Sequence, residues 1–594
     1  MTKNRLNRLR IEMDKAGVDV YVMTLADYHM SEYVGDYFKE IEFISGFTGT
    51  NATMVVTHEE AGLWTDGRYF IQARQQLSGT TIRLYEEGTE GVPTVMEFLE
   101  KHLSDKSTLG FDGRLFSLEW YEKVQKLCDA KGAMMLTDEN LVSPFFKKRP
   151  PLPQNKVWIL EDKYSGRSCA DKLKDVRAVM KERGADGFLL TSLYDIAWLL
   201  NLRGDDIHCV PVFMSYLYMT MDSCTLYADS RDFDESLMKY LSAEGIVLRP
   251  YDRVYSDLNH ISEKNVIIDP RAVNSELVNE FPSQVKLIRC ENPTRLMKAV
   301  KNPVEVANTR KAHLEDGVAV TRFIYWLKHS IGVEEITEMS AADKLLEFRK
   351  AALDFLDISF DTISAYRENA ALMHYEPGHD HEVELHPEGM LLVDSGGHYL
   401  NGTTDVTRTI VLGDISDKEK ECFTRVLRSH LRLLSAHFPK GVCGANLDVL
   451  ARGPMWDLGL DYRCGTGHGV GHILNVHEGP NAFRWNPKNP DDLVPLVPGM
   501  ITSDEPGLYF EDEFGIRTES ELLVVEDQKT EYGQFYRFED LTYVPIDLDA
   551  VIPEKLTQYE RKALNAYHAD VYEALAPLLP KEEAAWLKEA TRAV

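Results

Sequence analysis

A chain of 594 residues, with 44% hydrophobic and 27% charged side chains, is too long for a single core and has the composition of an ordinary globular protein, so about three or four domains are expected. Its 66 basic against 95 acidic side chains leave a formal charge of -29, which argues against nucleic acid and anionic membrane as partners. The opening MTKNRLNRLRIEMDKAGVDVYVM scatters charge through every apolar run, so neither a signal peptide nor a membrane span is expected there. Cys128, Cys169, Cys209, Cys224, Cys290, Cys422, Cys443 and Cys464 form no CxxC pair, which reads as the reduced thiols of a cytoplasmic protein.

In chain order, an amphipathic stretch ends at Gly17 and is followed by an apolar run (AGVDVYVM), then SGFTG and LWTDGRYF. After Gly184 the series repeats as RGADGFLL, LNLRG and LYADSRDF, and each copy carries an Asp-x-Arg step, Asp66 and Arg68 in the first, Asp229 and Arg231 in the second. Helical and strand patterns alternate in both copies, predicting two similar α/β domains over 1–150 and 155–300. The proline-rich KKRPPLPQNK (147–156) marks the linker between them. A second boundary near 291–303 precedes a strongly helical run from Val304 to Ile331. Residues 304–594 are expected to form a larger α+β unit of helices, then glycine-punctuated strands, then a helical tail.

The chemistry concentrates in this third unit. LLVDSGGHYLNGTTDVTRTIVL (391–412) reads as two strands around a turn-rich loop, with Asp394 ending the first and Asp405 entering the second. Antiparallel pairing sets the two carboxylates side by side, an arrangement that repels unless a cation lies between them. The next stretch, RCGTGHGVGHILNVHEG (463–479), holds His468, His472 and His477. His468 and His472 have the i, i+4 spacing of a helical zinc site, but Gly465, Gly467, Gly469 and Gly471 alternate through the window and would each cost a helix roughly 1 kcal/mol. The segment is therefore extended or looped. Glu505 in MITSDEPGLYF and Glu519 in FGIRTESELLVV follow, each beside a strand pattern. Four carboxylates and one imidazole suit oxygen-seeking divalent ions, and four negative charges match two such ions about 3.5 Å apart.

Taken together, FDTISAYRENAALMHYEP (360–377), LLVDSGGHYLNGTTDVTRT (391–409), GTGHGVGHILNVHEGP (465–480), ITSDEPGLY (501–509) and GIRTES (515–520) resemble the M24 metallopeptidases, the creatinase-like "pita-bread" peptidases. DYHMSEY (27–33), ISGFTGTNATMVVT (44–57), LWTDGRYF (63–70) and DIAWLLNLRGDDI (195–207) extend the resemblance to the long, three-domain X-Pro aminopeptidases of that family. The resemblance implies two creatinase-like α/β domains followed by a pita-bread catalytic domain with a helical extension.

It also implies site roles. Asp394, Asp405, His468, Glu505 and Glu519 become the ligands of two divalent ions, most readily Mn²⁺ with Co²⁺ or Zn²⁺ as alternatives; Asp405 and Glu519 bridge them, and a bridging hydroxide attacks the X-Pro bond. Glu505 is the implied proton shuttle. His374 and His477 match the substrate histidines, although unaided each reads as a buried, hydrogen-bonded structural residue. Arg68 matches a substrate-reaching position, against a plain ion pair with Asp66. Many relatives carry histidine where this chain has Cys464, and His472 is expected in a strand facing away from the metals.

The implied substrates are peptides with proline second, and the implied assembly is a homodimer. An X-Pro dipeptidase is the enzymatic alternative, and a non-catalytic peptide-binding protein on a peptidase fold the alternative of another class.

Overall fold

The computed structural model describes residues 2–378, 382–487 and 490–594. They divide into two compact units, one running to Asp162 and including Arg167–Thr294, the other comprising Lys163–Gly166 and Arg295–Val594.

The first unit holds two six-stranded sheets of the same design. In one, the strands lie in the order Arg83–Glu86, Ala61–Thr65, Thr53–Thr57, Val20–Thr24, Thr108–Gly110, Met134–Leu136. In the other, the order is Ile246–Arg249, Cys224–Tyr227, Tyr216–Thr220, Gly187–Leu190, Asn265–Ile268, Lys286–Arg289. Each sheet has a central strand with one antiparallel and one parallel neighbour, and the two match in the sense of every pairing. The central strands VYVMT and GFLL are buried along nearly their whole length, as β-branched and large apolar residues covered on both faces should be. Gly17 and Gly184, at φ 67° and 68°, stop the helices Thr2–Ala16 and Cys169–Glu182 in the left-handed conformation that glycine adopts cheaply.

The Asp-x-Arg clasp, in which the aspartate accepts from the arginine main-chain N–H, occurs four times among the described residues of this unit. Asp66 Oδ1 accepts from the Arg68 main-chain N–H at 3.0 Å and from Nε at 2.9 Å. Asp112 and Arg114 repeat this at 3.1 and 3.0 Å, Asp229 and Arg231 at 3.0 and 2.9 Å, and Asp269 accepts from the Arg271 N–H at 3.0 Å.

In the second unit the helix Pro303–Ser330 opens with a capping box between Asn302 and Glu305 and proline in its first turn. It buries Thr309, Ala312, His313, Asp316, Val320, Phe323 and Leu327 along one stripe. The strands Ile363–Tyr366, Met390–Ser395 and Val406–Val411 make an antiparallel three-stranded sheet. A six-stranded antiparallel sheet follows, in the order His437–Pro439, Gly533–Asp540, Ser520–Thr530, Ile501–Asp504, Gly467–Gly469, Glu478–Phe483. Phe423, Val426, Leu427 and Leu431 of the helix Asp417–Leu434 pack with Leu564, Val571 and Leu575 of the helix Gln558–Leu575. The fold is the mixed α/β and α+β architecture expected from the pattern. In one detail it differs: residues 293–299, expected near a boundary, are themselves a helix.

Candidate metal centre

Each implied ligand stands at or beside a strand end. Asp394 lies in Met390–Ser395, in register with Thr407, and Asp405 immediately precedes Val406–Val411. Asp504 pairs with Ser520 across Ile501–Asp504 and Ser520–Thr530, so Glu505 and Glu519, the next residues outward, come off the same end of that sheet. His468 is the middle residue of Gly467–Gly469, whose Gly469 pairs with Thr502. The glycines on either side permit this approach, because a Cβ on Gly467 would lie 1.8 Å from the Ser503 carbonyl oxygen and one on Gly469 2.1 Å from that of Glu478.

The side chains converge. His468 Nε2 is 3.4 Å from Asp405 Oδ2 and 3.4 Å from Glu505 Oε1, and ligand atoms of Asp405, His468 and Glu519 all fall within 4.8 Å of one another. The other ring nitrogen, Nδ1, is 3.0 Å from the Gly469 carbonyl; a proton donated there leaves Nε2 bare and facing the carboxylates, the tautomer a metal requires. Thr407 donates to Glu519 Oε2 at 2.6 Å. The buried Arg517 guanidinium reaches Asp394 Oδ2 at 2.5 Å, the Tyr509 hydroxyl at 2.7 Å and Thr407 Oγ1 at 3.0 Å.

These anions are crowded beyond what one guanidinium can neutralise. Burial, then the charges of Asp394, Glu505 and Glu521, holds Asp405 well above the usual carboxylate range. Burial, then Asp405, Asp394 and Glu505, does the same to Glu519. Asp394 is raised by burial in spite of Arg517, and among the described residues its buried Oδ1 has no hydrogen-bond partner. A desolvated, under-neutralised set of hard oxygen donors with one oriented imidazole fits divalent cations.

The other implied site residues are distributed differently. The His477 ring meets His468 edge-on, 4.2 Å between centroids, which places it beside the carboxylates. His374 is half-buried on the turn after Arg367–Ala371, a segment pressed so close to Gly515 that a Cβ there would lie 1.8 Å from the Ala370 oxygen. Arg68 lies in the first compact unit, clasped by Asp66 and 3.8 Å from Glu32, the ion pair set against its substrate role. His472 is not on a strand but on a bend, with Nδ1 3.2 Å from Thr309 Oγ1 and Nε2 3.2 Å from the Tyr164 carbonyl; the clustered glycines deny the chain a regular strand there.

Cys464 packs with Tyr509 against the core around Phe514 and Ile516. Its carbonyl accepts from Arg452 at 2.7 Å, and the same buried guanidinium binds Asp448, Asp461 and the Tyr462 carbonyl. Arg517, Thr407 and Tyr509 join this network although no motif in the sequence marks them. Arg517 and Thr407 each stand two residues from an acid, Glu519 and Asp405, and that spacing of two along an extended chain was the available signal.

A model of the creatinase/prolidase N-terminal domain matches residues 5–139, and a second of the same description matches 148–305. Metallopeptidase family M24 matches 307–526, and the C-terminal region of peptidase M24 matches 534–594. These matches define a metallopeptidase, and the chain belongs to family M24. It is 37% identical to Aminopeptidase P2 of Arabidopsis thaliana over 95% of this chain and 84% of that one, and 37% identical to Xaa-Pro aminopeptidase 1 of Dictyostelium discoideum over 98% and 95%. Within M24 it is thus a member of the aminopeptidase P group. The crystal structure of X-prolyl aminopeptidase from Caenorhabditis elegans, described as a cytosolic enzyme with a di-nuclear active site, matches with a TM-score of 0.95 at 34% identity over 100% of both chains. A Xaa-Pro dipeptidase from Bacillus anthracis, 22% identical with a TM-score of 0.51, covers 65% of this chain and shares the fold alone.

Proposed function

We propose that the protein removes the first residue from peptides whose second residue is proline, using two divalent ions held by Asp394, Asp405, His468, Glu505 and Glu519. The observation that carries this reading is the convergence of buried, mutually repelling carboxylates on His468 Nε2, in a chain matched end to end by X-Pro aminopeptidases. Bound there, the ions supply Lewis acidity and an acidified water that is nucleophilic near neutral pH. The oxygen-rich set favours Mn²⁺ over softer ions.

Asp405 and Glu519 would serve both ions, Asp394 would complete the donor set of one, and His468 with Glu505 that of the other. Glu505 takes the proton of the attacking water on its carboxylate and passes it to the proline nitrogen as the bond breaks. His477, ring to ring with His468, donates toward the substrate carbonyl oxygen as negative charge develops on it, and His374 holds the peptide backbone. Arg68 keeps the substrate role that the resemblance implies, with its ion pair to Asp66 as the competing reading. Proline explains the specialisation: the X-Pro nitrogen has no N–H and its φ is fixed, so an enzyme that grips that N–H fails on it.

Two creatinase-like domains over 1–150 and 155–300 and a catalytic domain over 304–594 complete the proposal, with the repeated sheet design in support. A cytosolic location is supported by the relative described as cytosolic and by eight free thiols. Homodimerisation is supported by the exposed ring pair Trp456 and Trp485, and sedimentation at twice 67.7 kDa tests it. The activity is tested by first-residue release from Arg-Pro-Pro and from the dipeptide Gly-Pro: the tripeptide is cleaved, and cleavage of the dipeptide alone overturns the reading in favour of a dipeptidase.

A further inference from the structure

Arg408 sits on Val406–Val411 between Thr407 and Thr409, and it is buried. Among the described residues its guanidinium bonds to no carboxylate. Nη1 donates to the carbonyls of Thr407, at 2.9 Å, and Glu519, at 2.5 Å. Nη2 donates to the Val544 carbonyl at 2.9 Å and the Tyr567 hydroxyl at 2.6 Å. A buried cation bonded only to neutral oxygens is costly unless a nearby field compensates it, and buried Asp540, whose carboxyl feels this guanidinium's charge, contributes to that field.

The geometry ties two chain segments that are far apart in sequence. Thr407 O also accepts the Glu519 N–H at 3.1 Å, and Thr407 Oγ1 donates to the Glu519 carboxylate. One side of the guanidinium thus staples the segment just after Asp405 to the Glu519 main chain. Its other side is held from outside the sheet, since Tyr567 belongs to the helix Gln558–Leu575 and its hydroxyl lies 2.6 Å from the Val544 carbonyl and 2.8 Å from that of Thr542. The helix is anchored independently by the Thr557–Glu560 capping box and by Arg428 and Arg432 on Glu560.

We infer that Arg408, seated by Tyr567 of the C-terminal helix, is a positioning residue that sets the separation of Asp405 and Glu519 and thereby the affinity for the second of the two ions. The inference rests on the ligand assignment proposed above, and it gives the C-terminal region a role in the metal centre beyond covering the core. Loss of an outer-shell partner of metal ligands typically weakens binding by about 10- to 100-fold.

The test uses full-length protein, stripped of metal and dialysed against graded free Mn²⁺, with manganese per chain counted by elemental analysis and the spin coupling of the bound ions followed by electron paramagnetic resonance. Wild type is expected to fill two sites and show the coupled signal of an ion pair. Arg408→Met and Arg408→Lys are expected to keep the first ion and to weaken the second by about 10- to 100-fold, showing an isolated-ion signal at concentrations that pair the ions in wild type. Tyr567→Phe is expected to give the same change at the low end of that range, and it decides alone should the Arg408 variants not fold. Wild-type affinity and coupling in Tyr567→Phe and in every folded Arg408 variant overturn the inference while leaving the ligand assignment standing. A wild-type chain that never takes a second ion overturns both.

Discussion

Two sets of buried carboxylates lie in the same compact unit and behave in opposite ways. Glu478, 2% exposed at its side chain, receives Lys298 Nζ at 2.7 Å and Lys301 Nζ at 2.5 Å. Burial alone would push its pKa up, but the two ammonium groups outweigh it and hold the carboxyl below its ordinary value. Asp405 and Glu519 are just as buried, face other carboxylates, and are pushed the other way. Burial alone therefore does not decide the state of a carboxyl here; the balance of counter-charge around it does. The lysines also secure the loop, since Lys301 donates to the Val470 carbonyl as well, pinning the chain on both sides of His472.

The contrast can be broken by removing one charge from each set. Asp405→Asn should lower activity by about a thousandfold or more, the order of several kcal/mol of lost metal assistance, and should lower bound metal measured on the same sample. Glu478→Gln should leave metal binding of the folded protein in place but cost about 3–5 kcal/mol of stability, because two buried lysines lose their partner; a denaturant titration reads this directly. In metal-free protein the two substitutions should move the melting temperature in opposite directions, Asp405→Asn upward and Glu478→Gln downward. A fall for both would show that repulsion among the ligands is not what the metal relieves.

Acid adds a further axis. The depressed Glu478 contributes stability that is present above pH 4.5, its unperturbed value, and is lost as the pH falls through its lower folded pKa. Buried His568, Nε2 of which accepts from the Ile546 N–H at 3.1 Å, is lowered from 6.5 to about 3, first by burial and then by Arg408 and Arg592. The unfolded chain takes up that proton below pH 6.5 while the folded chain refuses it until about pH 3, so stability falls as the pH falls across this window, by on the order of 5 kcal/mol in all. His568→Gln should flatten the slope between pH 6 and 4 in thermal melts, and an unchanged slope would remove His568 from the account. The smallest effect is expected at Cys464→His, where a new imbalance of packing beside Tyr509 should change KM by about fivefold, roughly 1 kcal/mol, with kcat retained.

Much of this was legible in the chain itself, and the reasons are local. Asp394, Asp405, Glu505 and Glu519 announce themselves as acids placed where strand patterns begin or end, and the alternating glycines around His468 rule out a helix from sequence alone. The supporting residues are hidden because their meaning is long-range: Arg517 becomes significant only when it meets Asp394, 123 residues earlier in the chain, and Arg408 only when the tail helix packs back on the sheet. The Asp-x-Arg clasp was read at two positions and occurs at four, since Asp112 follows a strand of only three residues, Thr108–Gly110, and Asp269 lies where a proline separates it from its arginine. His472 defeated the period-two reading for a simpler reason, as glycine neighbours leave the backbone free to bend.

Gly467 and Gly469 give the centre a tolerance measured in single atoms. With a Cβ at either position meeting a carbonyl oxygen at 1.8 or 2.1 Å, an added methyl must move His468 or the strands beside it by an ångström or more, and a displacement of that size at a reacting site costs about a hundredfold in rate. The distance between imidazole and carboxylates is thus fixed partly by atoms the chain omits. A library of variants would find these two positions less forgiving than most charged ones, and a redesign of the centre for another metal would have to begin with the backbone spacing they allow.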